Sequence, residues 1–204
     1  MSESIRNDLN IDDIFIDFKC LNIKPNEIRN NFDTTDSKQL SIFNLNIRSL
    51  TKKFALPLSL LKLINHDFTI IVITETWIND SDNALFSIPG YEHISQNRIN
   101  GGGGGIRIYF HKSIKLISLD NALTGIFPSH ESLSCFLSVD KDTQVHITGL
   151  YRPPNKSIKE FNSYLKNNLL RQINNSSNTI EIIAGDMNIP FKTDVIYNNS
   201  SYLE

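Results

Sequence analysis

Short apolar runs separated by polar turns dominate the chain from Gln39 onward and predict alternating strands and helices. The run TIIVITET at residues 69–76 is continuous and rich in β-branched residues, as expected of a strand that is buried on both faces. Other apolar runs predict further strands within residues 39–47, 131–139, 144–154 and 179–190. We therefore expect a domain built around several sheet strands.

Two segments have the length and spacing of helices that could cover such a sheet. Residues 52–67 predict a helix in which Pro57 forces a late start or a kink, because proline has no backbone N–H. Residues 158–173 predict a second helix, opened by the capping pair Ser157 and Glu160. The order strand, helix, strand, several strands, helix, strand indicates an α/β sandwich with helices on the outside.

Five consecutive glycines at residues 101–105 precede an alternating apolar segment at residues 106–110. A glycine run can cradle a phosphate, but a nucleotide-binding loop of that type leads into a helix and carries Lys-Ser or Lys-Thr. Here a strand is predicted to follow, and no Lys-Ser or Lys-Thr stands directly after the glycine run. We therefore interpret the run as a flexible hairpin turn.

Composition sets wide limits on the class of protein. The 204 residues are 40% hydrophobic and 21% charged, and their net charge of −2 gives no general attraction for nucleic acid. Residues 1–38 are polar and predict a flexible N-terminal extension, whereas residues 39–204 are expected to form one domain. No signal peptide or membrane-spanning apolar stretch is evident, so we expect a soluble intracellular protein with no membrane partner.

Oxygen-bearing side chains stand where four of the predicted strands end or break. They are Asn46, Glu75, Tyr151 and the pair Asp186 and Asn188. One polar residue at a strand end is usually a turn residue, but four such ends together favour a shared site. Carboxylate and amide oxygens suit a hard ion such as Mg²⁺, whereas the sequence has no His–Cys cluster for zinc. The spacing of Asp186 and Asn188 places both side chains on one face of the strand end.

Six short motifs give the chain a resemblance to a known family. NLNIRSL, ITETWI, IPGY, NRINGGGGGIRIYF, GLYRPPN and IAGDMNI occur in the order seen in the endonuclease/exonuclease/phosphatase superfamily. Their wording is closest to the apurinic-endonuclease-like domain of LINE-type (non-LTR) retrotransposons, over residues 39 to about 190. The resemblance implies a four-layer α/β/β/α sandwich with mixed, largely antiparallel sheets.

The resemblance also implies a role for each polar strand-end residue. Asn46 and Glu75 would hold Mg²⁺ or Mn²⁺, and Tyr151 would contact the scissile phosphate. Asp186 would orient or deprotonate the attacking water, and Asn188 would support the phosphoryl oxygens. The implied reaction is Mg²⁺-dependent hydrolysis of a phosphodiester, with DNA as the partner that is nicked. A full-length element would add a reverse transcriptase domain, and action on genomic DNA would place the protein in the nucleus.

The chain departs from the family pattern after the GDMN motif. The pattern continues to a further carboxylate and an SDH-type motif with a catalytic histidine, whereas all five histidines here precede Asp186. We therefore expect a domain that lacks its last strands and nicks DNA weakly or not at all. The alternatives are a catalytically inactive remnant that at most binds DNA or a partner, and a phosphatase of lipid or inositol phosphates, which the motif wording disfavours.

Overall fold

Two facing β-sheets with helices on their outer sides make up the part of the chain that the structure, a computed structural model, describes. The described residues are 40–98, 103–169 and 179–189. The predicted N-terminal extension at residues 1–38 lies outside them. No helix within these ranges is long and apolar enough to cross a lipid bilayer.

The first sheet has four strands among the described residues. They are β1 (Ile42–Asn46), β2 (Ile70–Thr74), β3 (Tyr91–Gln96) and β4 (Ile106–His111). Their order across the sheet is β1–β2–β4–β3, with β1 parallel to β2 and the other pairs antiparallel. Helices α1 (Leu50–Lys53) and α2 (Ala55–Ile64) connect β1 to β2, and a 3₁₀ helix (Asp80–Leu85) precedes β3.

The second sheet has five strands in the same described ranges. They are β5 (Lys115–Leu119), β6 (Gly125–Ile126), β7 (Glu131–Ser138), β8 (Gln144–Tyr151) and β9 (Thr179–Asp186). The order is β5–β7–β8–β9 with β6 paired to β7, and only β8 and β9 of the described pairs run parallel. Helix α3 (Ile158–Tyr164), continued by a π-helical turn (Leu165–Leu169), follows β8.

Apolar packing divides the molecule into four layers. The core between the sheets contains Ile70, Val72, Ile106, Ile108, Leu133, Cys135 and Ile147. Leu50 and Ile64 from α1 and α2 pack on the outer face of the first sheet, and Phe161 from α3 packs with Leu150 on the outer face of the second. The predicted α/β/β/α sandwich with mixed sheets is therefore confirmed. β2 is fully buried on both faces, as its unbroken apolar run predicted.

Pro57 limits where the second helix begins. The chain turns at Phe54 between α1 and α2, so Pro57 lies in the first turn of α2, where its missing N–H breaks no helical hydrogen bond. Because the helical residues Leu50–Lys53 already precede this break and Phe54 keeps helical angles, it is the kink that the sequence predicted as one of two outcomes. The 3₁₀ helix and β5 were not predicted, because the 3₁₀ segment is short and polar and β5 is an exposed edge strand.

Arg107 is fully buried in β4, on the face opposite to the core residues Ile106 and Ile108. Its guanidinium donates to Ser95 Oγ at 2.8 Å, to the Phe86 carbonyl oxygen at 3.1 Å and to Asn83 Oδ1 at 2.7 Å. Each donor group of the buried cation therefore has a partner, as such burial requires. These bonds fix the 3₁₀ segment against the first sheet.

A Ser–His–carboxylate series crosses the outer face of the second sheet. Ser134 Oγ lies 2.8 Å from His146 Nε2, and His146 Nδ1 lies 2.7 Å from Glu181 Oε2. The order resembles that of a catalytic triad, but the Ser134 and His146 side chains have no solvent exposure. No substrate can reach the hydroxyl, so this series is a buried polar network, and His146 is structural.

His130 is a second buried histidine, held between aromatic rings under α3. Its ring stacks on Phe127 with centroids 4.8 Å apart and lies 3.9 Å from the Tyr164 ring. The side chain is 2% exposed, and burial lowers the pKa of His130 to about 4. The imidazole is therefore neutral in the folded protein at pH values where it is charged in the unfolded chain.

We predict that His130→Phe makes the protein less sensitive to acid. The unfolded imidazole takes up a proton below its ordinary pKa of 6.5, whereas the folded one does so only near pH 4. Stability is therefore lost as the pH falls from 6.5 toward 4, by about 2–3 kcal/mol at pH 4.5. Urea unfolding at pH 7.0 and 4.5 should show a smaller loss for the variant; equal losses would contradict the prediction.

Candidate active site

The carboxyl ends of two parallel strand pairs meet at one edge of the sandwich, called the mouth below. Asn46 ends β1 beside the end of β2, while Tyr151 and Asp186 are register partners at the ends of β8 and β9. Across the gap between the sheets, Asn44 Nδ2 donates to the Gly185 carbonyl oxygen at 3.0 Å. The predicted gathering of these strand ends is therefore present.

The Asn46 amide stands between two carboxylates that come from different sheets. Its Nδ2 donates to Glu75 Oε1 at 2.7 Å and to Asp186 Oδ2 at 2.5 Å. Because both carboxylates contact the same nitrogen, the distance between them is far below roughly 12 Å. Beyond that separation two carboxylates could not share one ion and its first-shell waters. Asn46 Oδ1 is buried and has no hydrogen-bond partner among the described residues, which is unusual for a buried polar atom.

Tyr151 lies against the same carboxylates. Burial, and then the negative charges of Glu75, Glu131 and Asp186, raise the pKa of Tyr151 to about 12, and its hydroxyl hydrogen-bonds to Glu75. Ionisation would add another negative charge to an acidic, half-closed site. The phenol therefore stays protonated near neutral pH and remains a hydrogen-bond donor that faces the mouth.

Asn188 lies just beyond the end of β9 rather than on it. Its backbone has a φ of 47°, its N–H donates to Asp186 Oδ1 at 3.1 Å, and its Nδ2 donates to the Arg152 carbonyl oxygen at 2.8 Å. The expectation that Asp186 and Asn188 share one face of the strand end is wrong, because the chain leaves strand geometry after Asp186. Asn188 is nevertheless exposed beside the Asp186 carboxylate.

Arg152 fixes the segment that carries the last two of these residues. Its backbone N–H donates to the Asp186 carbonyl oxygen at 3.0 Å, and the side chain is almost fully buried. Its guanidinium donates to the backbone carbonyl oxygens of Met187, Asn188, Pro153 and Lys156. Sequence reasoning missed this residue, although the arginine within YRPPN was a visible signal.

Glu131 and Arg98 tie the glycine-rich segment to the second sheet. Glu131 Oε2 accepts the Gly105 N–H at 2.6 Å, and Glu131 Oε1 accepts Arg98 Nε at 2.7 Å within an ion pair. A Cβ at Gly104 would clash with both charged side chains, so only glycine fits there. The predicted hairpin between β3 and β4 is confirmed, and backbone hydrogen bonds hold Gly104 and Gly105 within it, while residues 101 and 102 lie outside the described residues.

Backbone hydrogen bonds connect the loop after β2 to the loop after β1 and to the glycine-rich segment before β4. The Ser49 N–H donates to the Glu75 carbonyl oxygen at 2.8 Å, and the Trp77 N–H donates to the Gly104 carbonyl oxygen at 3.0 Å. Left-handed backbone angles, which are costly for residues other than glycine, gather at this mouth. Those residues are Arg48, Ser49, Glu75, Trp77 and Asn188.

The donor chemistry of the mouth fits a hard divalent cation. The unpartnered Asn46 Oδ1 and the Glu75 and Asp186 carboxylates offer oxygen ligands of the kind that Mg²⁺ prefers. No cluster of three or more His, Cys, Asp and Glu side chains that could hold a metal occurs in the described part of the chain. An ion bound here would therefore keep several water ligands, as Mg²⁺ commonly does.

Similarity to known proteins is found in structure and not in sequence. No protein-family model and no curated protein matches the chain. D. rerio TDP2 complexed with a single-strand DNA product matches with a TM-score of 0.58 at 16% identity, over 79% of this chain and 66% of that one. AP endonuclease LMAP from Leishmania major matches with a TM-score of 0.55 at 19% identity, over 78% and 58%.

A third match is a mannosyl-6-phosphatase from Bacteroides thetaiotaomicron, with a TM-score of 0.56 at 15% identity over 75% of this chain. The chain spans 67% of that protein's length, and 48% of the length of C. elegans TDP2, which it also resembles. These likenesses show that the chain has the sandwich fold of the endonuclease/exonuclease/phosphatase proteins. The fold that the sequence resemblance implied is therefore confirmed.

Arg152→Met should destabilise the protein by about 3 kcal/mol or more. The substitution leaves several partly buried carbonyl oxygens without their charged donor and places an apolar group against them, which costs stability. Lys156→Met removes the same charge from an exposed side chain and should change stability by only about 0.5 kcal/mol. Urea unfolding of both variants is the measurement, and a similar small loss in both would show that Arg152 does not hold this segment.

Proposed function

We propose that the chain hydrolyses phosphodiester bonds of DNA with Mg²⁺, as an endonuclease of the LINE-type retrotransposon kind that nicks target DNA. The observation that carries this proposal is the Asn46 amide bridging the Glu75 and Asp186 carboxylates, with its own oxygen left unpartnered. Two carboxylates and an unpartnered amide oxygen are suitable ligands for Mg²⁺. A metal ion next to a carboxylate that can act as a general base is suited to phosphate hydrolysis.

Each residue of the mouth has a role in this proposal. Glu75 and Asn46 Oδ1 would hold the Mg²⁺, which supplies positive charge against the phosphate oxygens when bound. Asp186 would accept the proton of the attacking water, because its carboxylate shares the Asn46 amide with Glu75 and so lies near the proposed ion. The protonated Tyr151 hydroxyl would turn its one proton from Glu75 to a phosphate oxygen, and Asn188, exposed beside the Asp186 carboxylate, would support the same oxygens.

DNA is the preferred substrate for two reasons. The six sequence motifs are worded as in LINE-type endonuclease domains, and the specific part is TETW together with YRPPN. Among the proteins of similar fold, one was solved with a single-strand DNA product and another is an AP endonuclease. A reverse transcriptase domain is the proposed partner in a full-length element.

A catalytically inactive binding module is the second candidate. The family pattern places a histidine at the site, but each of the five histidines of this chain is engaged elsewhere. His66 bonds to Ser41, His93 lies against Tyr109, His111 bonds to Ser113, and His130 and His146 are buried beside α3 and Glu181. On this view the mouth would bind DNA and Mg²⁺ but would hydrolyse slowly, because it lacks one electrostatic and proton-transfer group.

Glu75→Gln should abolish binding of Mn²⁺ without loss of stability. Glutamine keeps the shape and can still accept the Asn46 hydrogen bond, but it lacks the formal charge that a hard cation needs. Losing one of two adjacent carboxylates also relieves repulsion, so the melting temperature should stay equal or rise. Calorimetry with Mn²⁺ is the measurement, and Glu92→Gln, at an exposed residue of β3, is the matched control. Equal affinity in both variants would make Glu75 merely structural.

A plasmid assay separates the two candidate functions. We expect the purified chain to nick supercoiled plasmid slowly with Mg²⁺, and Asp186→Asn to lower the rate about a hundredfold or more, because it removes the proton acceptor. The Glu92→Gln control should nick like the unchanged chain. Binding of plasmid without nicking would favour the inactive module. Nicking that persists in Asp186→Asn, or release of phosphate from inositol phosphates but not from DNA, would overturn the proposal.

A further inference from the structure

We propose that Trp77 and Arg48 form a nucleotide-binding subsite next to Glu75, in which the indole stacks on a DNA base and the guanidinium contacts a neighbouring phosphate. The proposal rests on the proposed function, because a DNA phosphodiesterase must hold the nucleotides that flank the bond it breaks. It assigns to this chain the part of the mouth that recognises DNA rather than phosphate in general.

Trp77 is a large aromatic residue that the fold does not bury. Its side chain is 40% exposed, whereas its neighbours Thr76 and Ile78 are buried. Its φ of 53° is a left-handed angle that a bulky residue adopts at a cost. A strained position with a half-exposed ring contributes little to packing, and such strain concentrates at functional sites.

Trp77 is also close to the candidate metal ligands. It follows Glu75 by two residues, so their Cα atoms lie at most about 7 Å apart. The bond from its N–H to the Gly104 carbonyl oxygen fixes the backbone before any ligand arrives. A backbone that is already held in place loses little conformational freedom when a base stacks on the ring, which favours binding.

Arg48 carries a positive charge on the loop whose backbone is bonded to the Glu75 segment. The next residue, Ser49, donates its N–H to the Glu75 carbonyl oxygen, so the two loops run side by side. Arg48 is exposed and has a φ of 50°, and no side chain within the described ranges pairs with its guanidinium. Because the mouth itself is rich in carboxylates, a nearby free cation is what an incoming phosphate backbone needs.

The pair distinguishes DNA from a phosphorylated sugar. A base has a flat π face that stacks on an indole whatever its sequence, and an inositol or lipid phosphate has no such face. Arg48 would contact either kind of phosphate, since its contact is with charge alone. The base-dependent part of binding should therefore come from Trp77, and the salt-dependent part should come from Arg48.

Tryptophan fluorescence tests the stacking directly, because the chain contains one Trp. Labelled oligo-dT and an abasic oligonucleotide of equal length are titrated with Ca²⁺ in place of Mg²⁺, and binding is followed by anisotropy. Oligo-dT should quench the fluorescence and the abasic strand should not. Trp77→Ala should weaken oligo-dT binding about tenfold and leave abasic binding unchanged, while Trp77→Phe should retain most of the affinity.

Arg48→Gln should lower the affinity for both oligonucleotides by a similar factor. It should also reduce the slope of log affinity against log salt concentration by about 1. Ile117→Ala on β5, a 48% exposed apolar residue far along the chain from the mouth, is the control and should change nothing. Melting curves check that every variant is folded.

Two results would overturn the subsite, and they differ in what else they overturn. The subsite proposal would be wrong if oligo-dT bound without quenching, or if Trp77→Ala bound oligo-dT with unchanged affinity. The proposed function would still hold if nicking depended on Asp186. No binding of either strand, together with no nicking by the folded chain, would remove the proposed function and the subsite with it.

Discussion

The mouth depends on one amide that keeps two carboxylates together. Unit charges about 5 Å apart at an effective dielectric constant of 20 repel by roughly 3 kcal/mol. The Asn46 amide offsets this by donating one hydrogen bond to Glu75 and one to Asp186. The Tyr151 hydroxyl donates to the same acidic group. The remaining negative charge and the unpartnered amide oxygen are the groups that the proposed Mg²⁺ would contact.

This contact also links the two sheets at the mouth. Asn46 ends a parallel pair in the first sheet, and Asp186 ends a parallel pair in the second. A parallel pair brings two carboxyl ends to one edge, so facing two such pairs concentrates four strand ends at one mouth. Segments that leave those ends need their own restraints, and Arg152 on one side and Glu131 on the other supply them.

The sequence carried the buried elements and the polar strand ends well. An unbroken β-branched run of this length favours a strand covered on both faces, and a polar residue at its end is visible as a break in that run. The hydrogen-bond partners of buried charged residues could not be predicted from the sequence. Arg152 and Glu131 act on backbone groups that are distant or in a following turn, and nothing in the local pattern names those acceptors. The mistaken face of Asn188 arose because the sequence does not reveal where β9 stops.

The strained residues at the mouth explain why function and stability draw on different parts of this fold. Arg48 and Trp77 have left-handed angles and exposed side chains, so they contribute little apolar burial and raise the free energy of the folded state. Backbone bonds from Ser49 and to Gly104 hold them there, and the full burial of β2 stabilises the loop that carries them. A chain selected for stability alone would place other residues at these positions, and their presence is therefore an argument that the mouth meets a ligand.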